Sequence, residues 1–116
     1  MVNKTIAFGS AGTRFIFDGS IDHLETLANG RRIVVLTDDN VFNAHKRKFK
    51  WFDTIVMPAG ESYKVQATVD IILEQLMAYE ADRQTLLVGA GGGVVTDMAG
   101  FVAAIYMRGI AVGFVP

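Results

Sequence analysis

The chain has 116 residues, enough for one domain with a real hydrophobic core, and carries a formal charge of −1 with 20% charged residues. That balance excludes the basic footprint of a nucleic-acid binder, and the absence of cysteine excludes both a disulfide framework and thiol chemistry. Met1-Val-Asn-Lys4 lacks the apolar core and cleavage site of a signal peptide, so the cytoplasm is the default location.

Two short alternating runs, Thr5–Phe8 and Thr13–Phe17, flank Gly9-Ser-Ala-Gly12 and predict a strand pair. Ser20 can cap a short helix whose apolar positions Ile21, Leu24, Leu27 and Ala28 share one face, ended by Asn29-Gly30. Ile33–Leu36 is a continuous apolar strand suited to burial on both sides. A helix is expected over Val41–Lys48, and the basic cluster His45–Lys50 reads as its solvated end. Thr54–Met57 is a further strand, stopped by Pro58-Ala-Gly60. Val65, Val69, Ile72, Leu73 and Leu76 follow the spacing of an amphipathic helix. Leu86–Val88 and Ala111–Val115 are the last strands, with a helical segment within Gly91–Ile105 between them.

From residue 33 onward strand and helix alternate, which predicts an α/β domain: a parallel, Rossmann-like sheet with helices on both faces and the strand pair at its start. A membrane helix over Leu86–Met107 would have to bury Asp97 and tolerate five glycines, so a buried strand followed by a buried helix is the better account.

Parallel sheets bind ligands beyond the carboxyl ends of their strands. Three such ends here are polar or glycine-rich: Thr37-Asp-Asp-Asn40, Pro58-Ala-Gly-Glu-Ser-Tyr-Lys64, and the run Gly89-Ala-Gly-Gly-Gly93. Glycines at a strand-to-helix turn let a ligand approach bare backbone N–H groups, and the positive end of the helix dipole favours a phosphate there. The run is not the usual dinucleotide fingerprint, because Val94 occupies its third glycine position and no acidic residue lies about twenty residues downstream. Asp38 suits the hydroxyls of a ribose, while Asn40 fits the helix cap by position. Glu61 and Lys64 read equally as an exposed ion pair or as ligand contacts. Arg108 is either a cation at a helix C-terminus or a phosphate clamp. His23 and His45 have no partners at metal-ligand spacing, and no metal site is complete.

Thr37-Asp-Asp-Asn-Val41, Pro58–Lys64, Asp82-Arg83, Gly91-Gly-Gly-Val-Val-Thr-Asp97 and Ala99–Ile110, in that order, closely resemble the N-terminal NAD-binding part of the 3-dehydroquinate synthases, a branch of the sugar phosphate cyclases. The resemblance runs from about residue 33 to Pro116. It implies a parent enzyme that converts 3-deoxy-D-arabino-heptulosonate 7-phosphate into 3-dehydroquinate and phosphate in the shikimate pathway, using NAD+ transiently and a divalent metal, zinc or cobalt. It implies NAD contacts at Asp38, Asn40, Glu61, Lys64, Gly92, Gly93, Val94 and Asp97. It also implies a homodimer in which Arg108 reaches the substrate phosphate of the neighbouring subunit. The family's metal-binding helical domain has no counterpart in these 116 residues, so the chain alone is expected to be inactive. Thr96 stands where many members have glycine and also occurs in cyclases acting on sedoheptulose 7-phosphate. Gly89-Ala90 replaces a frequent Ala-Leu pair. A related cyclase, a NAD-dependent polyol dehydrogenase and an isolated nucleotide-binding module are the competing readings. The apolar segment Met98–Tyr106 is expected to expose surface and promote self-association.

Overall fold

The computed structural model describes residues 4–8, 12–16 and 30–115. The helix expected after Ser20 lies outside them, as does His23. The described chain forms β1 (Lys4–Phe8), β2 (Gly12–Ile16), β3 (Ile33–Asp38), α1 (Asp39–Ala44), α2 (Lys46–Phe49), β4 (Asp53–Met57), α3 (Gln66–Ala78), β5 (Leu86–Ala90), α4 (Gly93–Ile105) and β6 (Ala111–Val115). One six-stranded sheet runs in the order β1-β2-β6-β5-β3-β4. β1 is antiparallel to β2, as the strand pair predicts, and every other neighbouring pair is parallel. The docking of β2 on β6 joins the N-terminal pair to the parallel sheet.

The apolar run of β3 divides by the two-residue period of a strand. Val34 and Leu36 enter the core beneath α3 and α4, with Ile55, Met57, Val69, Ile72, Leu76, Leu87, Val95 and Val102. Val35 faces the other way, with Phe49, Leu86, Val88, Ala111 and Val115, where Val41 and Phe42 of α1 pack against them. Both faces are therefore covered, which is what uninterrupted Val/Ile/Leu strands require.

Two local outcomes differ from the periodicity. The helix expected over Val41–Lys48 starts earlier and breaks at His45 into α1 and α2. The His45 N–H closes the first segment onto Val41 O and Phe42 O at 3.1 and 3.2 Å. Val65, counted as part of the apolar stripe of α3, is its N-cap and is exposed, while Thr68 takes a buried place beside Val69. The end of α4 is anchored by Tyr106, whose buried hydroxyl donates to Ala81 O at 2.7 Å. Burial pushes that hydroxyl above the ordinary tyrosine value, so it remains a protonated donor at neutral pH.

α4 lies very close to β5. A Cβ built on Gly89 would sit 2.8 Å from the Cβ of Ala99, inside any permissible contact. Glycine at 89 is thus a packing requirement for the helix that follows it. Gly89→Ala is expected to cost roughly 1–3 kcal/mol by overpacking. Ala99→Gly in the same chain should recover part of that loss, and thermal unfolding of the two single variants and the double variant measures the coupling.

Candidate functional site

The strand register places the ends of four parallel strands in line. Asp38 pairs with Met57, Thr37 with Ala90, and Ala90 with Val115, so β3, β4, β5 and β6 stop at one rim. Two interactions fix the rim beneath the glycine run. The buried Thr37 hydroxyl donates to Ala90 O at 2.7 Å, and Gly91 N–H donates to Val115 O at 3.0 Å.

The glycines of the run have different reasons to be glycine. Gly91 takes φ +146°, and a Cβ there would lie 3.3 Å from Val95 Cγ2. Gly92 and Gly93 have neither constraint: a Cβ on either meets nothing within 4 Å and neither has a positive φ. Their bare backbone faces open space at the start of α4. No side chain caps that end of the helix, and its first turn holds no acidic residue. The first N–H groups of a helix have no intrahelical acceptor. An uncapped, glycine-lined helix start at the rim is a cradle for an anionic group. Val94 is half-buried and packs its side chain against the core, which leaves its backbone as the part that faces the cradle.

Asp38 is the N-cap of α1: its Oδ1 accepts from Val41 N at 2.8 Å. The expectation that Asn40 fills this role is therefore corrected. β3 passes into α1 with no intervening loop, so the cap falls on the last strand residue and Asn40 sits in the first turn, exposed. One carboxylate oxygen of Asp38, Oδ1, is committed to the cap.

Asp39 has a role that its sequence position did not indicate. Its Oδ1 accepts from Ala59 N at 3.1 Å and ties the segment after β4 to the start of α1. Gly60, at φ +120°, then turns the chain into a 3-10 turn over Glu61–Tyr63. This path brings Lys64 across to α4: its Nζ lies 2.8 Å from Asp97 Oδ2 and 3.8 Å from Glu61 Oε1. The hydrogen bond and the charge of Asp97, with the charge of Glu61 added, raise the Lys64 pKa above its ordinary value. Glu61 and Lys64 are thus an ion pair as the spacing allowed, but the closer partner is Asp97, which nothing local in sequence indicates.

Arg108 stands apart from this cluster, at the far end of α4. It follows Met107 at φ +48° and itself takes φ +67°, both left-handed and unusual for side-chain-bearing residues. It is exposed and ends a 3-10 turn rather than α4 itself. Among the described residues, no group of three or more His, Cys, Asp or Glu could hold a metal ion. None of the described helices is long and apolar enough to cross a membrane. The apolar exposure expected over Met98–Tyr106 is partial: Phe101 and Ile105 are about half exposed, as is Met107 just beyond, while Met98, Val102, Ala103 and Tyr106 are buried.

Comparison with known proteins adds the following. The family model for the N-terminal region of 3-dehydroquinate synthase matches residues 54–116. Among curated relatives, a 3-dehydroquinate synthase from Pyrococcus abyssi is 41% identical over 99 residues, covering 76% of this chain and 28% of that protein. One from Sulfurovum sp. is 38% identical over 100 residues, covering 81% of this chain and 29% of that protein. The chain therefore spans less than a third of the length of these relatives. Among solved structures, a 2-deoxy-scyllo-inosose synthase complexed with carbaglucose-6-phosphate, NAD+ and Co2+ superposes with a TM-score of 0.70 at 25% identity, covering 99% of this chain and 35% of that one. A 2-epi-5-epi-valiolone synthase from Streptomyces hygroscopicus, with NAD+ and Zn2+ bound, superposes at 0.74 and 22% identity, covering 94% of this chain and 33% of that one, and shares the fold.

The cap assignment changes how Asp38 must be tested. Asp38→Ala removes both cap and carboxylate and is expected to cost about 0.5–2 kcal/mol of stability, whereas Asp38→Asn keeps a capping side chain and should cost far less. Chemical denaturation of the two variants distinguishes the cap from any ligand role.

Proposed function

Because the chain belongs to the 3-dehydroquinate synthase family, we propose that it forms the NAD+-binding portion of such an enzyme, whose parent converts 3-deoxy-D-arabino-heptulosonate 7-phosphate into 3-dehydroquinate and phosphate. The observation that carries this reading is the open backbone of Gly92 and Gly93 at an uncapped helix start, two glycines that the fold itself does not need. A pyrophosphate meets backbone N–H donors of Gly93 and Val94 and the positive end of the α4 dipole there. The carboxylate oxygen of Asp38 that does not cap α1 accepts from ribose hydroxyls. Asn40, Glu61, Lys64 and Asp97 complete the same rim. NAD+, when bound, supplies a hydride acceptor that is regenerated within the cycle, so no net NADH accumulates.

Arg108 is assigned to the substrate phosphate of a neighbouring subunit in a homodimer, consistent with its exposure and its distance along α4 from the rim. For the divalent metal, zinc or cobalt, that the family implies, no ligand group lies among the described residues, and no step here passes through it. A related sugar phosphate cyclase is the second reading. It draws on the likeness to solved cyclases and on Thr96, the residue that cyclases acting on sedoheptulose 7-phosphate also carry at this place.

Calorimetric titration of NAD+ tests the cofactor role. Gly93→Ala should leave the fold intact or stabilise it by up to about 1 kcal/mol, since alanine is the better helix former, while weakening NAD+ binding about tenfold. Wild-type affinity in that variant would defeat the reading of the glycine run as a ligand cradle. For the chain alone, incubation with the heptulosonate phosphate should release no phosphate above a buffer blank.

A further inference from the structure

Lys64 is the cation that the fold places beside the helix start. Its Nζ is held by Asp97 at 2.8 Å, with Glu61 behind it at 3.8 Å. Both members of the closer pair are well exposed, at 41% and 58% of the side-chain surface, so solvent weakens the attraction and the pair can exchange. Glu61 gives Lys64 a second carboxylate to rest on when it leaves the first. Asp97 lies one turn into α4 from Gly93, so an anion docking on the glycine run arrives beside both members of the pair.

Resting on the reading of the rim as a nucleotide site, we propose that the Lys64–Asp97 ion pair is an exchangeable latch: Asp97 restrains Lys64, and Lys64 transfers from it to the phosphates of an entering nucleotide. Asp97 then acts on phosphate affinity through Lys64, as a positioning residue that restrains it. A free ammonium is available to a phosphate at once, whereas a paired one must first break its bond to a carboxylate. The latch therefore lowers affinity for the bare phosphate portion of the ligand. It makes tight binding depend on the other groups of the complete cofactor. The hydrogen bond and charge of Asp97 raise the Lys64 pKa above its ordinary value while the two are paired, so the restrained group is a charged ammonium at neutral pH.

The test is a double-mutant cycle read by calorimetric titration of ADP, which carries the diphosphate without the nicotinamide half. Asp97→Asn should tighten ADP binding about three- to tenfold in the otherwise native chain. The same substitution in a Lys64→Met background should give little or no gain, because the restrained group is gone. Equal gains in the two backgrounds would mean that Asp97 acts only as a nearby negative charge, and would overturn the latch. So would an unchanged or weaker ADP affinity in Asp97→Asn. Titration of NAD+ into the native chain keeps the underlying reading separate: saturable NAD+ binding with a failed cycle removes the latch alone, and no NAD+ binding removes the site and the latch together. Thermal unfolding should be nearly the same in all four chains, since the pair is exposed.

Discussion

Where α4 crosses β5, the Ala99 methyl fills the space that any side chain on residue 89 would need. That contact brings the helix down onto the sheet and fixes the course of its axis. With the axis set, the N-terminus of α4 must emerge at the end of β5, in line with the ends of β3, β4 and β6. The cradle at Gly92 and Gly93 depends on this placement. A helix held further from the sheet would carry its free N–H groups away from Asp38 and from the segment that delivers Lys64. Tyr106 secures the opposite end of the same helix through Ala81 O, so both ends of α4 are tied to the sheet's own connections.

The glycine run therefore answers two separate demands. Gly89 is small because the chain's own atoms leave no room, and Gly91 because of its positive φ, with a tight contact to Val95 added. Gly92 and Gly93 are small with room to spare. In sequence the four look alike, and a tight turn explains them as readily as a ligand does. Three-dimensional neighbours separate the two cases. Residues kept small against no neighbour of their own point to an external one, and that is the physical content of calling this place a site.

Much of the rest was legible because it is local. The continuous apolar strands, the period of α3 and the turn residues after β4 depend on residues a few positions apart, and the alternation of strand and helix from residue 33 is enough to give a parallel sheet. The features that were not legible depend on distant partners. The docking of β2 on β6 joins residues about a hundred positions apart and leaves no periodic mark. Asp39 meets Ala59, and Lys64 meets Asp97, through contacts created only when the strand ends align. The cap at Asp38 is an intermediate case. Its signal is the direct passage of strand into helix, which periodicity blurs by a residue or two.

The charge balance of the rim follows from these placements. Asp38, Asp39, Glu61 and Asp97 bring four carboxylates to the region, and Lys64 is already shared between two of them. A site built on cations would attract any phosphate that diffused past. This one offers an anion mainly backbone N–H groups and a helix dipole, directional donors that act over the first turn, within a surrounding field that is negative. Carboxylates in such a field still accept hydrogen bonds from uncharged hydroxyl and amide groups. The arrangement is therefore suited to a ligand whose anionic part is small and central and whose remaining surface is rich in neutral donors, which is the chemical description of a dinucleotide rather than of a free phosphate.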